Sequence, residues 1–131
     1  MTPITTVVDL DIAEAEALVR ESLAQNGFGV LTEIDVAAIF KTKLGIDRSP
    51  LKILGACNPD LAHQALSVDP DTALVLPCNV VLEATEHGTT ISAADPHDII
   101  TNPDLFDLAD DAAAKLRSAI DNLGSSNRNP T

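Results

Sequence analysis

The sequence predicts an α+β protein, a two-layer α/β sandwich in which helices cover one face of a mixed, largely antiparallel sheet. Three observations support this fold class. Short β-branched runs alternate with helical patterns in the first half of the chain. Further strand-like runs then follow one another, and a long amphipathic pattern ends the chain. Because each element must bury an apolar side, this order favours helices layered on one face of a single sheet.

The first third of the chain contains two strand-then-helix pairs. Ile4–Val8 is a short β-branched run, and Asp11 with Glu14 forms a capping-box pattern ahead of the first helix. Residues 28–34 then alternate as a strand with one solvent face. Asp35 is a preferred helix cap, so a second helix is expected directly after this strand.

A third pair surrounds the first cysteine. Residues 51–56 suit a strand that delivers Cys57 to a turn. Asn58 is a preferred N-cap, Pro59 suits the first helical position, and Asp60 complements the helix dipole. A helix is therefore expected to begin at Pro59.

Three strand-like runs occupy the next stretch. Residues 72–76 and 80–85 flank Pro77, which cannot donate a ladder hydrogen bond and marks an edge position, a bulge or a break. Residues 86–89 resemble a hairpin loop that leads to a strand at 90–94.

The C-terminal segment has the clearest helical pattern. An apolar stripe runs through residues 103–123, and Gly124 is expected to end the helix. Residues 1–124 should form one compact domain, because the chain of 131 residues is long enough for a single core. Residues 125–131 are expected to be a disordered tail.

Composition and charge exclude several classes of protein. Hydrophobic residues make up 45% of the chain, but it has three Phe and no Trp or Tyr, so small aliphatic side chains must fill the core. Eight Lys and Arg against twenty Asp and Glu give a net charge of −12, which disfavours binding to nucleic acid or to an anionic membrane. The N-terminus does not resemble a signal peptide, and no apolar run approaches the about 20 residues of a membrane span. We expect a cytoplasmic protein, in which the two cysteines are free thiols.

The two cysteines are the strongest site candidates. Cys57 is predicted at a helix start, where backbone N–H groups can stabilise a thiolate. It can equally be a small buried side chain in a tight turn, and the same helix start can bind an anion without using the sulfur. If the strands of Cys57 and Cys78 were neighbours, the pair could form a redox couple or hold a soft metal such as Cu(I).

The other polar candidates have simpler explanations. His63 points away from the apolar face of its helix, and His87 and His97 are expected at the surface. Asp95, like Asp35, is explained by helix capping. No zinc-ribbon spacing is present in the sequence, so no metal site is assigned. The sequence also contains no phosphate loop and no serine elbow, which disfavours nucleotide-dependent enzymes and hydrolases.

Several short motifs, in this order and spacing, resemble the family catalogued as domain of unknown function 302. They are Lys43-Leu44-Gly45, Leu54-Gly55-Ala56-Cys57-Asn58-Pro59, Ala65-Leu66, Leu76-Pro77-Cys78-Asn79-Val80 and Asp95-Pro96. The resemblance covers residues 4–100 and implies a compact two-layer domain that commonly pairs as a homodimer. It implies no established activity. The helix at 103–123 is expected to be an addition to this family-like region.

These observations favour a binding or interaction domain with a site for a small molecule or an anion at the Cys57 helix start. The candidate ligand-binding residues are Cys57, Asn58, Cys78, Asn79 and Lys43. Lys43 is most simply a charge that suits the end of its helix, but it could also turn toward an anionic ligand. The alternative is a thiol-dependent redox enzyme or sensor, or soft-metal handling, with Cys57 and Cys78 as the reacting groups. The sequence identifies no cofactor and does not decide whether the protein is an enzyme.

Overall fold

The computed structural model describes residues 2–127, with side chains described as far as Gly124. This part of the chain forms five strands and five α-helices, with 3-10 helices at Pro70–Val75 and Pro103–Leu105. The strands are β1 (Ile4–Val8), β2 (Gly29–Asp35), β3 (Leu51–Cys57), β4 (Cys78–Thr85) and β5 (Gly88–Ala93). The helices are α1 (Ile12–Gln25), α2 (Val36–Leu44), α3 (Pro59–Val68), α4 (Pro96–Ile99) and α5 (Phe106–Asn127).

The five strands form one sheet in the order β1-β5-β4-β3-β2. Every neighbouring pair is antiparallel, so the prediction of a mixed sheet is wrong in that detail, whereas the α+β sandwich is confirmed. The pairing of β2 with β3 shifts between Val30 and Thr32, which leaves Leu31 as the extra residue of a β-bulge.

One face of the sheet is buried. A row of paired residues crosses four strands from Leu54 through Val80 and Ala93 to Ile4, and all four side chains are buried. Because directly paired residues on neighbouring strands project to the same face, the four side chains of this row lie on one side of the sheet. Helices α1 and α5 pack together over this face, with α5 lying along β1.

The core is built from small aliphatic side chains, as the composition predicts. Phe28 is the one aromatic residue among the buried hydrophobic side chains of the described region. The largest fully buried side chains are Leu, Ile and Val from both layers, among them Leu82, Ile91, Leu116 and Ile120. The core therefore depends on close packing between the sheet and two helices.

A group of charges fixes α1 against the sheet. Lys52 on β3 donates to Glu16 of α1 at 2.7 Å and also contacts Glu33 of β2. Arg20 donates to Glu16 at 2.9 Å. Burial alone would raise the pKa of Glu16, but its hydrogen bonds with Lys52 and Arg20 outweigh burial and lower that pKa.

The predicted helix starts are confirmed where a cap was identified. The side chains of Asp11, Asp35, Asn58 and Asp95 each accept a hydrogen bond from a backbone N–H in the first turn that follows. These caps satisfy donors that a helix end otherwise leaves unpaired.

Two other predictions are wrong. Residues 72–76 were expected to form a strand, but Pro70–Val75 is a 3-10 helix whose first turn is capped by Asp69, which accepts from the N–H of Asp71 at 3.0 Å. Gly124 does not end the last helix. It is buried against β1, where an added Cβ would lie 2.8 Å from Thr6 Oγ1, and α5 continues to Asn127.

Two expectations concern other parts of the chain. A disordered tail was predicted for residues 125–131, but residues 125–127 belong to α5, and the rest of the predicted tail, from position 128 onward, lies outside the described residues. Within the described region, no helix combines the length and the hydropathy needed to span a bilayer.

Candidate functional site

The candidate site begins where β3 ends and α3 starts. Cys57 is the last residue of β3, and Asn58 has extended backbone angles before the helix. The Asn58 side chain accepts a hydrogen bond from the N–H of Leu61 at 3.2 Å. The helix start therefore already has one of its exposed donors satisfied within the chain.

β4 lies beside this end of β3, and the backbone of Gly55 lies close to two neighbouring side chains there. A Cβ added to Gly55 would lie 2.7 Å from Pro77 Cγ and would also strike the hydroxyl of Thr32. Only glycine leaves room for both neighbours at this position. Gly55, two residues before Cys57, therefore leaves room for Pro77, the residue before Cys78.

The two cysteines lie on neighbouring strands. Cys78 is paired with Ala56, the residue directly before Cys57. Both thiols are free and partly buried. Burial raises the pKa of the Cys78 thiol, and the negative charge of a Cys57 thiolate would raise it further. The strands that carry the two cysteines are thus neighbours, a point that the sequence left open, and burial favours the neutral form of Cys78.

A pocket opens beside the two thiols at this end of the sheet. It contains about 640 Å³ of empty space, part of which is open to solvent, and seventeen residues line it. Its walls come from α3, α4, α5 and the two 3-10 helices, with Cys57, Asn58 and Cys78 among the lining residues. No Asp, Glu, Lys, Arg or His belongs to this lining. The pocket is thus an apolar space with a few uncharged polar groups.

Thr72 is the unusual member of this lining. The residue is only 5% exposed, and its hydroxyl is the one buried side-chain polar atom in the described region without a hydrogen-bond partner. Leaving a buried hydroxyl unpaired is unfavourable, and such groups in native proteins usually have a partner. Thr72 is not among the residues predicted from the sequence, because the pattern of residues 72–76 is typical of a strand. The Asp69-Pro70-Asp71 run, an N-cap followed by proline, was the available signal for the 3-10 helix that positions it.

The structure does not bring all predicted site residues together. Asn79 lies on β4 opposite Gly55, is exposed and does not line the pocket. Lys43 lies on α2, is exposed and does not line the pocket either. His63 and His87 are exposed, as expected.

His97 forms part of a polar cluster at the edge of the pocket wall. Its Nδ1 lies 2.8 Å from Asp95 Oδ1, and its Nε2 lies 2.5 Å from Asp110 Oδ1 on α5. Arg117, also on α5, donates to Asp95 Oδ2 at 2.7 Å. The cluster attaches α4 to α5, and α4 contributes Pro96 and Ile99 to the pocket.

Titration of this cluster follows from its contacts. Hydrogen bonds to Asp110 and Asp95 raise the pKa of His97. Burial alone would raise the pKa of Asp95, but the hydrogen bonds from His97 and the charge of Arg117 outweigh it and lower that pKa. The sequence predicted Asp95 as a cap and His97 as a surface residue, but not their link to α5.

A second bond joins the two 3-10 helices. Asn102 Nδ2 donates to Asp69 Oδ2 at 3.1 Å, while each of these residues also caps its own 3-10 helix. Thr72 and Leu105, which line the pocket, lie on these two helices. In the described part of the chain, no group of three or more His, Cys, Asp and Glu side chains is arranged to hold a metal ion.

Comparison with known proteins identifies a structural relative. No curated protein matches the chain. The crystal structure of an uncharacterized conserved protein DUF302 from Bacillus stearothermophilus is similar with a TM-score of 0.86 and 30% sequence identity. The similarity covers 92% of this chain and 97% of that one.

The match to a family model extends further than the motifs suggested. The model of the domain of unknown function DUF302 matches residues 4–123. This range includes most of α5, the helix that the sequence placed outside the family-like region of residues 4–100. The fold, the sequence match and the structural relative agree, and the chain belongs to the DUF302 family.

Proposed function

We propose that this protein is a binding domain whose apolar pocket beside Cys57 and Cys78 takes a small molecule. The observation that carries the proposal is the pocket itself, a space that is partly open to solvent and lies between α3, α4, α5 and the 3-10 helices. Ligand sites are concave, mostly apolar and supplied with a few polar groups that orient the ligand. Cys57, Asn58 and Cys78 are the uncharged polar residues that the lining offers for this purpose, since the hydroxyl oxygen of Thr72 is fully buried.

The surroundings favour a ligand other than an anion. Lys43, the cation that the sequence offered, does not line the pocket. Asp60 adds a negative charge to the first turn of α3, and Asn58 already accepts from one of its N–H groups. An anion at this helix start would therefore meet a carboxylate and would find no cationic side chain in the lining.

The test is a fragment screen followed by two-dimensional NMR on the full chain. Fragments that bind should shift the amide signals of Leu61, Cys78 and Ala109, which line the pocket. Replacing Ala112, a half-buried lining residue of α5, by Phe should fill the space and weaken binding at least about tenfold, or about 1.4 kcal/mol.

Ala114→Phe is the matched control. Ala114 lies on the same helix but is exposed and outside the lining, so this variant should bind as the wild type does. If no fragment shifts the pocket signals, or if both variants bind equally, the proposed function is wrong.

We further propose that the protein is a homodimer that associates through the segment of residues 31–46. Five large apolar side chains of this segment are exposed, namely Leu31, Ile34, Ile39, Leu44 and Ile46. Helix α2 lies within the segment and buries none of its side chains. A second copy would cover an apolar surface that the single chain leaves in water.

Light scattering on a size-exclusion column tests the homodimer. The wild type should elute with twice the mass of one chain, and Ile39→Lys should shift it to the monomer. Val68→Lys, at an equally exposed apolar position in the last turn of α3, should leave the mass unchanged. A wild-type monomer, or a loss of the dimer in both variants, would overturn this proposal.

A second candidate function, a thiol redox pair, is favoured by the adjacency of the strands that carry Cys57 and Cys78. Oxidation would join the two sulfurs and pass two electrons and two protons to a disulfide or peroxide oxidant. Mass spectrometry after treatment with oxidised glutathione should then show the chain two mass units lighter, whereas Cys57→Ser should instead retain a mixed disulfide. If the wild type retains two free thiols, this candidate is excluded.

A further inference from the structure

Alanines on two helices provide much of the space beside the thiols. Ala62 and Ala65 of α3 line the pocket, as do Ala109 and Ala112 of α5, and the members of each pair are three residues apart. Residues at this spacing are neighbours on the surface of a helix. Because an alanine side chain ends at Cβ, α3 and α5 can contact each other and still leave an unfilled space between their walls.

The four alanines differ in burial. Ala65 and Ala109 are 8% and 4% exposed, whereas Ala62 and Ala112 are half-buried. Lining residues with the least solvent contact form the closed side of a pocket, and those that keep more exposure border its opening. Leu105, which is 2% exposed, also belongs to the closed side. Two methyl groups, one from α3 and one from α5, are therefore part of the pocket floor.

The lining has a uniform chemistry. All but four of its side chains are hydrocarbon, and the exceptions are Cys57, Asn58, Thr72 and Cys78. Thiols behave largely as small apolar groups, and the Thr72 hydroxyl oxygen is fully buried. A charged ligand group among these side chains would lose its hydration without gaining an ionic partner. A hydrocarbon group would instead leave water for an apolar surface, which is favourable.

We infer that the pocket takes the hydrocarbon end of a small molecule and leaves the polar end at the opening, and that Ala65 and Ala109 limit the length of the hydrocarbon end. The inference rests on the proposed binding function and names the kind of ligand for the same site, with two residues that determine specificity. A longer hydrocarbon end gains affinity with each methylene that it buries, until it meets the floor. Further methylenes then stay in water and add nothing.

Straight-chain alcohols from butanol to octanol are the probes, and NMR titration of the full chain measures their dissociation constants. In the wild type, the affinity should rise about fourfold with each added methylene and then level off. Ala65→Val and Ala109→Val each add two carbon atoms to the floor, from different helices. Each variant should level off at a shorter alcohol. Its affinity for octanol relative to butanol should fall about four- to sixteenfold, which corresponds to one or two methylenes.

Ala114→Val is the matched control. Ala114 lies on α5 but is exposed and outside the lining, so this variant should keep the wild-type dependence on chain length. Circular dichroism shows whether each variant is folded. The two floor variants lie on different helices, so one that fails to fold leaves the other as the test, and the wild-type series tests the insertion of the hydrocarbon end without any variant.

Three results would contradict the inference or the function beneath it. An affinity that is independent of chain length in the wild type, or that still rises at octanol, would refute a hydrocarbon end held against a closed floor. A wild-type profile in the folded floor variants would refute the role of the two alanines. Both results leave the binding function intact if other fragments shift the pocket signals, whereas the absence of pocket shifts with fragments and alcohols alike would overturn the binding function as well.

Discussion

The helix-covered face of the sheet and the pocket at its end use similar aliphatic side chains to different effect. Under α1 and α5, Leu82 and Leu116 are completely buried, and the hydroxyl of Thr89 is paired with a carbonyl. In the pocket, Leu108 remains partly exposed beside empty space, and the hydroxyl of Thr72 is unpaired in the described structure. The first region is filled and hydrogen-bonded within the folded chain, whereas the second keeps unfilled space and an unpaired hydroxyl.

We expect this difference in packing to make the two regions contribute unequally to stability. Filled, hydrogen-bonded regions carry most of the stability of a protein, and regions with unfilled space and unpaired groups tolerate change in exchange for binding. Substitutions of the same type in the two regions should therefore have unequal or opposite effects on the free energy of unfolding.

Truncation of a leucine should give the largest contrast. Leu82→Ala leaves a cavity under the helices and should reduce the free energy of unfolding by about 2–5 kcal/mol. Leu108→Ala removes a side chain that already borders empty space and should cost less than half as much. Urea denaturation followed by circular dichroism measures both, and equal losses would show that the pocket wall is as tightly packed as the core.

Replacement of a threonine by valine should change sign between the two regions. Thr89→Val removes a partner of the Leu10 carbonyl and should cost about 1–3 kcal/mol. Thr72→Val replaces an unpaired hydroxyl with a methyl group and should leave the ligand-free protein as stable or raise its stability by up to about 1 kcal/mol. Thermal denaturation of the two variants measures both changes in stability. A loss of stability in Thr72→Val would mean that the Thr72 hydroxyl of the wild type already has a hydrogen-bond partner.

A smaller effect is expected where the pocket wall is attached to α5. His97 has a pKa raised above its ordinary value of 6.5, so its stabilising contribution is complete below that pH and is lost as the pH rises through its folded pKa. Asp95 has a lowered pKa, so its contribution is present above its ordinary value of 3.8 and is lost as the pH falls through the folded pKa. The cluster should therefore stabilise α4 most between these two limits.

The difference in melting temperature between the wild type and His97→Asn measures this contribution. It should be larger at about pH 5.5 than at about pH 8.5, because the imidazole is charged at the lower pH. Asp110→Asn removes one of the two carboxylate charges beside the ring and should reduce the dependence on pH. A difference that is the same at both pH values would mean that the charge on His97 does not stabilise α4.

Features with a local cause could be predicted from the sequence. The N-caps at Asp35 and Asn58 were identified because the bonds involved join residues three apart, Asp35 to Ala38 and Asn58 to Leu61. The strand that ends at Cys57 was also identified, since proline and a cap follow directly. Local patterns of this kind also fixed the fold class.

Features that depend on distant parts of the chain could not be predicted. Glycine often ends a helix, but Gly124 lies within α5, where its lack of a side chain lets the helix pack against Thr6. Lys43 is close in sequence to the cysteine segment, yet α2 holds it away from the pocket lining. The unpaired hydroxyl of Thr72 likewise results from the packing of several elements around it, so the sequence near residue 72 does not predict it.

The bulge at Leu31 interrupts the regular edge of the sheet. A regular edge strand offers its free N–H and C=O groups as a template, and repeated addition of strands produces fibres. In β2, an edge strand, the extra residue interrupts the spacing of these groups, and the charged residues Glu33 and Asp35 follow it. We therefore expect this edge to resist growth by strand addition, so that contact through the neighbouring exposed side chains forms a complex of fixed size.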